Sequence, residues 1–216
     1  MTSETTGPPL GIGRWPAVVL LLALTAACTG GASDENAGSS PPSSSVGQQP
    51  TLRAKPVPIE VTVAKVVGGH LKRDQKKQLE KQVGGLVSRY FDDAFLSGRY
   101  PRDDFSGALA TFSPGAARRA APERALLTNA QVGSTTESVV ARTKQARLDV
   151  LVPGRHVVGI TARVRLVFVQ QPTDGAAERV TVSGRLLVNR KQSGPWQIFG
   201  YDVTRSSVPA AKGGSR

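Results

Sequence analysis

The chain has 216 residues, enough for one ordinary domain with extensions at its ends. Lys and Arg number 28 against 16 Asp and Glu, and the resulting net charge of +12 favours anionic partners unless it serves plain solubility, the simpler reading where the charges do not cluster on one face. One cysteine excludes an intramolecular disulfide, and with only His70 and His156 beside it no metal site is expected.

From the amino terminus, Arg14 precedes an apolar run from Trp15 to Ala27, followed by Cys28 and the polar Thr29-Gly30-Gly31. The run has 13 residues, short of the roughly 20 that a spanning helix needs. Basic residue, apolar core and small residues before a cut predict a signal peptide over 1–27. Within that stretch only Glu4 and Arg14 are charged, so the +12 belongs to the remainder.

Leu24-Thr25-Ala26-Ala27-Cys28 resembles the lipobox of bacterial lipoproteins, with Thr25 where that family most often has Leu. The resemblance implies a diacylglycerol on the Cys28 sulfur, cleavage before Cys28 and acylation of the new amino group. It also implies a lipid-anchored protein on the extracytoplasmic face of the cell membrane. Two or more acyl chains make such an anchor firm, since one chain binds only marginally.

Residues 28–57 comprise this cysteine and a Ser-, Gly- and Pro-rich stretch without apolar periodicity, read as a disordered tether. Its root-mean-square reach is roughly 30 Å. The folded domain is expected over 58–205, with a flexible tail over 206–216.

Inside the domain, Ile59, Val61 and Val63 alternate with polar residues and predict a strand ended by Gly68-Gly69. From Lys72 to Ser97 the apolar residues Leu79, Val83, Leu86, Val87, Tyr90, Phe91, Ala94 and Phe95 recur at three and four, the stripe of an amphipathic helix. Gly98 stands where a helix ends, and Gly84-Gly85 either weakens the helix or marks a close packing contact. Asp103 or Asp104 is placed to cap a turn carrying Phe105, Leu109 and Phe112, and Ser113-Pro114 to start a further helix.

Beyond these the period changes. Strand-like runs at 143–152, 157–170, 178–189 and 196–205 are separated by Pro153-Gly154, Pro172-Thr173-Asp174-Gly175 and Lys191-Gln192-Ser193-Gly194, turn residues at hairpin length. They predict a four-stranded antiparallel meander. The expected class is α+β, with N-terminal helices packed on a curled antiparallel sheet.

Helices followed by a long sheet ending in a Trp-containing strand, Pro195 to Val203, resemble the NTF2-like cone over residues 72–205. The resemblance implies that fold and the family's range of isomerases, dehydratases, cyclases and non-catalytic envelope modules, and so selects no function. It also implies a space between first helix and sheet, with Tyr90, Phe95, Trp196, Tyr201 and Asp202 as candidate lining; that these aromatics are simply core is the plainer alternative.

Catalytic chemistry is not legible. The chain has no P-loop, dinucleotide fingerprint or nucleophile elbow, and no cofactor is expected. Asp92-Asp93 and Asp103-Asp104 are adjacent residues that diverge on a helix, so neither pair forms a carboxylate dyad. Asp104 is read as a cap and Asp92 as a solvated residue.

Alternation along the strands places Arg147, Arg163, Arg165 and Arg185 with Thr143, Gln145, Thr161, Thr181 and Ser183, opposite Leu148, Val150, Ile160, Val164, Leu166, Val182 and Leu186. Guanidinium forks suit phosphates and carboxylates. The four arginines are candidate anion-binding residues, for an anionic polymer, a lipid headgroup or an acidic protein; a solvated sheet face is the plainer alternative. No aromatic residue interleaves with them, so nucleic acid is not an expected partner. A non-catalytic binding module is thus expected, with a small-molecule binder or isomerase- or cyclase-type enzyme as the alternative.

Overall fold

A computed structural model describes residues 56–191 and 194–210. The expected signal peptide, Cys28 as the expected lipidation site and nearly all of the expected tether lie outside the described residues.

The first strand, β1, spans Glu60–Val67 and the long helix, α1, spans Arg73–Phe91. The Lys72 backbone N–H donates to Gln75 Oε1 at 2.8 Å, which satisfies one orphan donor of the helix start. At its far end α1 widens into one π-helical turn, Asp92–Leu96, and Gly98 follows at φ +96°, the left-handed conformation that glycine supplies beyond a helix end.

Asp104 Oδ1 accepts from the Ser106 N–H at 2.8 Å just ahead of the single turn Ser106–Leu109, whose N-cap position is held by Phe105. Ser113 Oγ accepts from Ala116 N–H at 3.3 Å with Pro114 behind it, and these start α2, Pro114–Ala120. A short α3, Arg124–Leu127, completes the helical part.

Four strands follow: β2 Thr136–Leu151, β3 Gly159–Pro172, β4 Glu178–Asn189 and β5 Gln197–Pro209. They form the expected antiparallel meander in the order β1-β2-β3-β4-β5. The sheet as a whole is mixed, however, because β1 pairs with β2 in parallel. The chain leaves β1, crosses through α1 and the shorter helices, and returns beside it in the same direction, the long connection that a parallel pair requires.

Two strand limits differ from the sequence reading. β2 starts at Thr136 rather than 143, with register shifts at Thr136/Ser138 and Ala141/Thr143 that break its alternation. β5 continues to Pro209, which pairs with Glu178, so 206–209 belong to the sheet and not to a loose tail.

One sheet face packs under α1. Leu148, Val150, Ile160, Val164, Leu166, Val182 and Leu186 are buried on it, as alternation predicts, against Leu79, Val83, Val87, Tyr90 and Phe91 of the helix. Gly84 brings α1 close to β1, since a Cβ there would stand 2.7 Å from Val61 Cγ2. Gly184 does the same between strands: it has φ +148°, and a Cβ there would overlap the Asp202 carbonyl and come within 2.6 Å of Val203 Cα.

Candidate functional site

On the other face the strand registers line up side chains across the sheet. Thr62, Arg147, Arg163, Arg185 and Asp202 form one cross-strand row, and Glu60, Gln145, Arg165, Ser183 and Thr204 form the next. The four arginines singled out by alternation are therefore on one exposed face, three of them directly opposed.

Opposed like charges on neighbouring strands are destabilising. Two are offset: Arg163 Nη2 lies 2.8 and 2.6 Å from the Asp149 carboxylate oxygens, and Arg185 is paired with Asp202, its Nε at 3.1 Å. Arg147 and Arg165 have no carboxylate within ion-pair distance among the described residues. The nearby Glu60 accepts from Gln145 Nε2 at 3.0 Å.

Glu60, Gln145, Arg147, Arg163, Arg165 and Ser183 rim a shallow depression of about 530 Å³. It can present guanidinium N–H groups to an anion from two strands at once, Arg147 of β2 and Arg163 and Arg165 of β3. The carboxylates beside it are engaged, Asp149 and Asp202 in ion pairs with Arg163 and Arg185 and Glu60 in the hydrogen bond from Gln145.

The candidate pocket residues do not converge. Tyr90 and Phe95 are each 0 % exposed, so no water-sized space adjoins them. Tyr90 stacks edge-on against Phe95 and Phe112, with ring centroids 6.0 and 5.2 Å away, and its hydroxyl donates to the Leu127 carbonyl at 3.0 Å. They are core.

Tyr201 packs on Phe112 from the sheet's inner face, whereas Asp202, the next residue in the strand, turns outward to Arg185. Trp196 belongs elsewhere, on a groove flanking α1, where its Nε1–H donates to Gln82 Oε1 at 3.0 Å. The space expected between first helix and sheet is filled by side chains at Tyr90 and Phe95, whereas Tyr201 and Asp202 border a separate depression with Arg119 and Glu123.

Two polar clusters escaped the sequence reading. Lys144, expected on no particular face, points inward; its Nζ donates to Asp92 Oδ1 at 2.8 Å, Asp92 Oδ2 at 3.0 Å and Ser88 Oγ at 3.0 Å. Asp92 is thus an ion-pair partner rather than a merely solvated residue.

Arg205 also turns inward, donating through Nη1 to the Thr128 and Ala125 carbonyls at 2.8 and 3.2 Å and through Nη2 to Asn129 Oδ1 at 2.8 Å. Asn129 Nδ2 donates in turn to the Tyr100 hydroxyl at 3.2 Å, and that hydroxyl donates to the Phe95 carbonyl at 2.7 Å. Burial holds the Arg205 guanidinium below, and the Tyr100 hydroxyl above, its ordinary pKa. This network ties β5 to α3 and the π-helical turn. A charged residue at a core-facing strand position was the only signal for it.

His70 and His156 are exposed, and no group of three or more His, Cys, Asp or Glu suited to a metal ion occurs among the described residues. No described helix is long and apolar enough to cross a membrane. No family model matches the chain, and neither a curated protein nor a solved structure shows significant similarity to it.

Proposed function

We propose that this chain is a lipoprotein anchored through Cys28 on the extracytoplasmic face of the membrane. Its domain, a cone of the NTF2-like type, then acts as a non-catalytic module that binds an anionic envelope component or partner protein. The cone reading is supported by a helix packed on one face of a long meander with bulged strands. The anchor reading rests on the lipobox residues Leu24 to Cys28.

The single observation that carries the binding role is the opposed row Arg147, Arg163 and Arg185, with Arg165 in the adjoining row. A row of like charges costs stability on neighbouring strands. Among the described residues only two of the four are neutralised by a carboxylate. An anion laid across the row would relieve the repulsion and engage several guanidinium forks together.

The test uses the full chain in phosphatidylcholine nanodiscs, presented with poly(glycerol phosphate) as a soluble polyanion. Replacing Arg163→Glu and Arg165→Glu is expected to weaken binding by at least about tenfold, equivalent to ~1.4 kcal/mol. Binding unchanged by the double replacement overturns the arginine face as the site.

A further inference from the structure

Along the exposed flank of α1, helical spacing brings Gln78, Gln82, Gly85 and Arg89 into one stripe. Facing it, the β4–β5 connection contributes Arg190, Pro195 and Trp196, and the two sides enclose a groove of about 700 Å³. A continuation of about 230 Å³ shares Gln82, Arg190 and Trp196 and adds Arg155 and His156.

The lining is chemically two-sided. Leu86, Pro195 and Trp196 supply apolar surface, and Lys81, Arg89 and Arg190 supply permanent positive charge. No carboxylate lines either part, and none of these cations is within ion-pair distance of one, among the described residues. Trp196 is held in place from two directions: its indole N–H donates to Gln82, and the Arg190 guanidinium lies 5.0 Å from its ring centroid. The wall is therefore preorganised.

Gly85 is the independent observation. Its neighbour Gly84 is required by the Val61 contact, but a Cβ at Gly85 would meet nothing within 4 Å. A glycine in mid-helix costs about 1 kcal/mol against Ala, and here no packing contact accounts for it. What Gly85 does leave is the helix side of the groove open.

We propose that this groove binds an anionic phospholipid, its phosphate on Lys81, Arg89 and Arg190 and its first acyl carbons against Leu86, Pro195 and Trp196. A free phosphate would use the cations and leave the apolar wall unmatched. An extended polyanion would leave it unmatched as well. The volume is within the range of small-ligand sites. The inference is independent of the arginine face on the opposite side of the sheet and does not rest on it.

The experiment follows Trp196 emission in the full chain carrying Trp15→Phe, so that Trp196 is the one indole with or without residues 1–27. The protein is placed in phosphatidylcholine nanodiscs with increasing mole fractions of phosphatidylglycerol. A saturable change in Trp196 emission with phosphatidylglycerol is expected, and none in phosphatidylcholine alone or with inorganic phosphate added.

Gly85→Leu is expected to abolish the response while unfolding at the same or a higher temperature, since Leu is the better helix former. Arg89→Glu is expected to raise the mole fraction for half-response by about threefold or more. Arg163→Glu with Arg165→Glu should leave the response intact, which separates this site from the sheet face. Absence of a response to phosphatidylglycerol overturns the proposal. So does an equal response to phosphatidylcholine, a full response to inorganic phosphate, or an unchanged response in both Gly85→Leu and Arg89→Glu.

Discussion

Lys144 Nζ sits 2.8 Å from Asp92 Oδ1, so an inward-facing amine of β2 is neutralised by the first residue of the π-helical turn beyond α1. The Lys144 side chain is 6 % exposed and that of Asp92 40 %, so the two ends of the pair are unequal in their access to water. Removing the carboxylate leaves a nearly buried charge without its partner, whereas removing the amine leaves a carboxylate that water can reach. Asp92→Ala is therefore expected to destabilise the domain by about 2 kcal/mol, a figure discounted for the exposure of Asp92. Lys144→Met is expected to cost less. Urea denaturation of both variants checks the order, and a larger loss in Lys144→Met would contradict it.

The two adjacent glycines of α1 are expected to respond with opposite signs. A methyl group at Gly84 would press on Val61 Cγ2 at 2.7 Å, and Val61 is β-branched and stiff. Gly84→Ala should lose about 1 kcal/mol net, the overpacking cost exceeding the gain in helix propensity. Gly85→Ala, with open space around it, should gain up to about 1 kcal/mol. Val61→Ala placed on Gly84→Ala should recover part of the loss, and thermal unfolding of the three proteins measures it.

Much of this architecture was legible because the local period is strong. Alternation assigned Leu148, Val164, Leu166 and Leu186 to the inner face and the four arginines to the outer one, and the spacing from Leu79 to Phe95 marked the helix. The parallel seating of β1 was not legible, because alternation says which face a residue takes and nothing about which strand lies beside it. The first seven residues of β2 were missed where bulges interrupt the period. Lys144 and Arg205 read as surface residues by type, and only their tertiary partners account for their burial. Tyr201 and Asp202, consecutive on β5, direct their side chains to opposite sides of the sheet, so they do not share the space under α1, although both border one depression at the β5 edge with Arg119 and Glu123.

Within the arginine face, the unpaired members should matter more to anion binding than the paired ones. Asp202 is 64 % exposed at its side chain and partners Arg185 alone. Asp202→Asn should release Arg185, add one positive charge to the face, and strengthen poly(glycerol phosphate) binding by about threefold, with little change in stability because exposed pairs contribute little. The gain should disappear in concentrated salt, where the Debye length falls to about 3 Å. Weaker binding in Asp202→Asn would mean that the carboxylate belongs to the site.

Alkaline pH should act through Tyr90. Burial, with a smaller contribution from nearby Tyr201, raises its pKa above the ordinary 10.0. A hydroxyl whose folded pKa is raised contributes stability that is fully present below the unfolded value and is lost as pH rises beyond it. The unfolding free energy should therefore start to fall near pH 10 as the unfolded chain, and not the folded one, gives up the Tyr90 proton. Tyr90→Phe should flatten this decline. It should also lower stability at neutral pH by about 1 kcal/mol, because the Leu127 carbonyl loses its donor. Chemical denaturation from pH 8 to 11 measures both effects, and an equally steep alkaline loss in Tyr90→Phe would assign that loss to other groups.

The last prediction concerns the inward guanidinium of β5. Arg205 donates to two backbone carbonyls and to Asn129, and its fork holds three acceptors from one short stretch of chain, Ala125, Thr128 and Asn129. Lysine presents a point charge and cannot span that set. Arg205→Lys is expected to cost about 2 kcal/mol and Arg205→Met about 3 kcal/mol, the acceptors being left partly or wholly without donors. Because Asn129 passes the contact on to Tyr100 and the π-helical turn, amide exchange should quicken at Ala94 to Tyr100 as well as at Thr128 and Asn129. Faster exchange confined to β5 would show that Arg205 anchors its own strand only, and that the π-helical turn is held by the core around Phe95 instead.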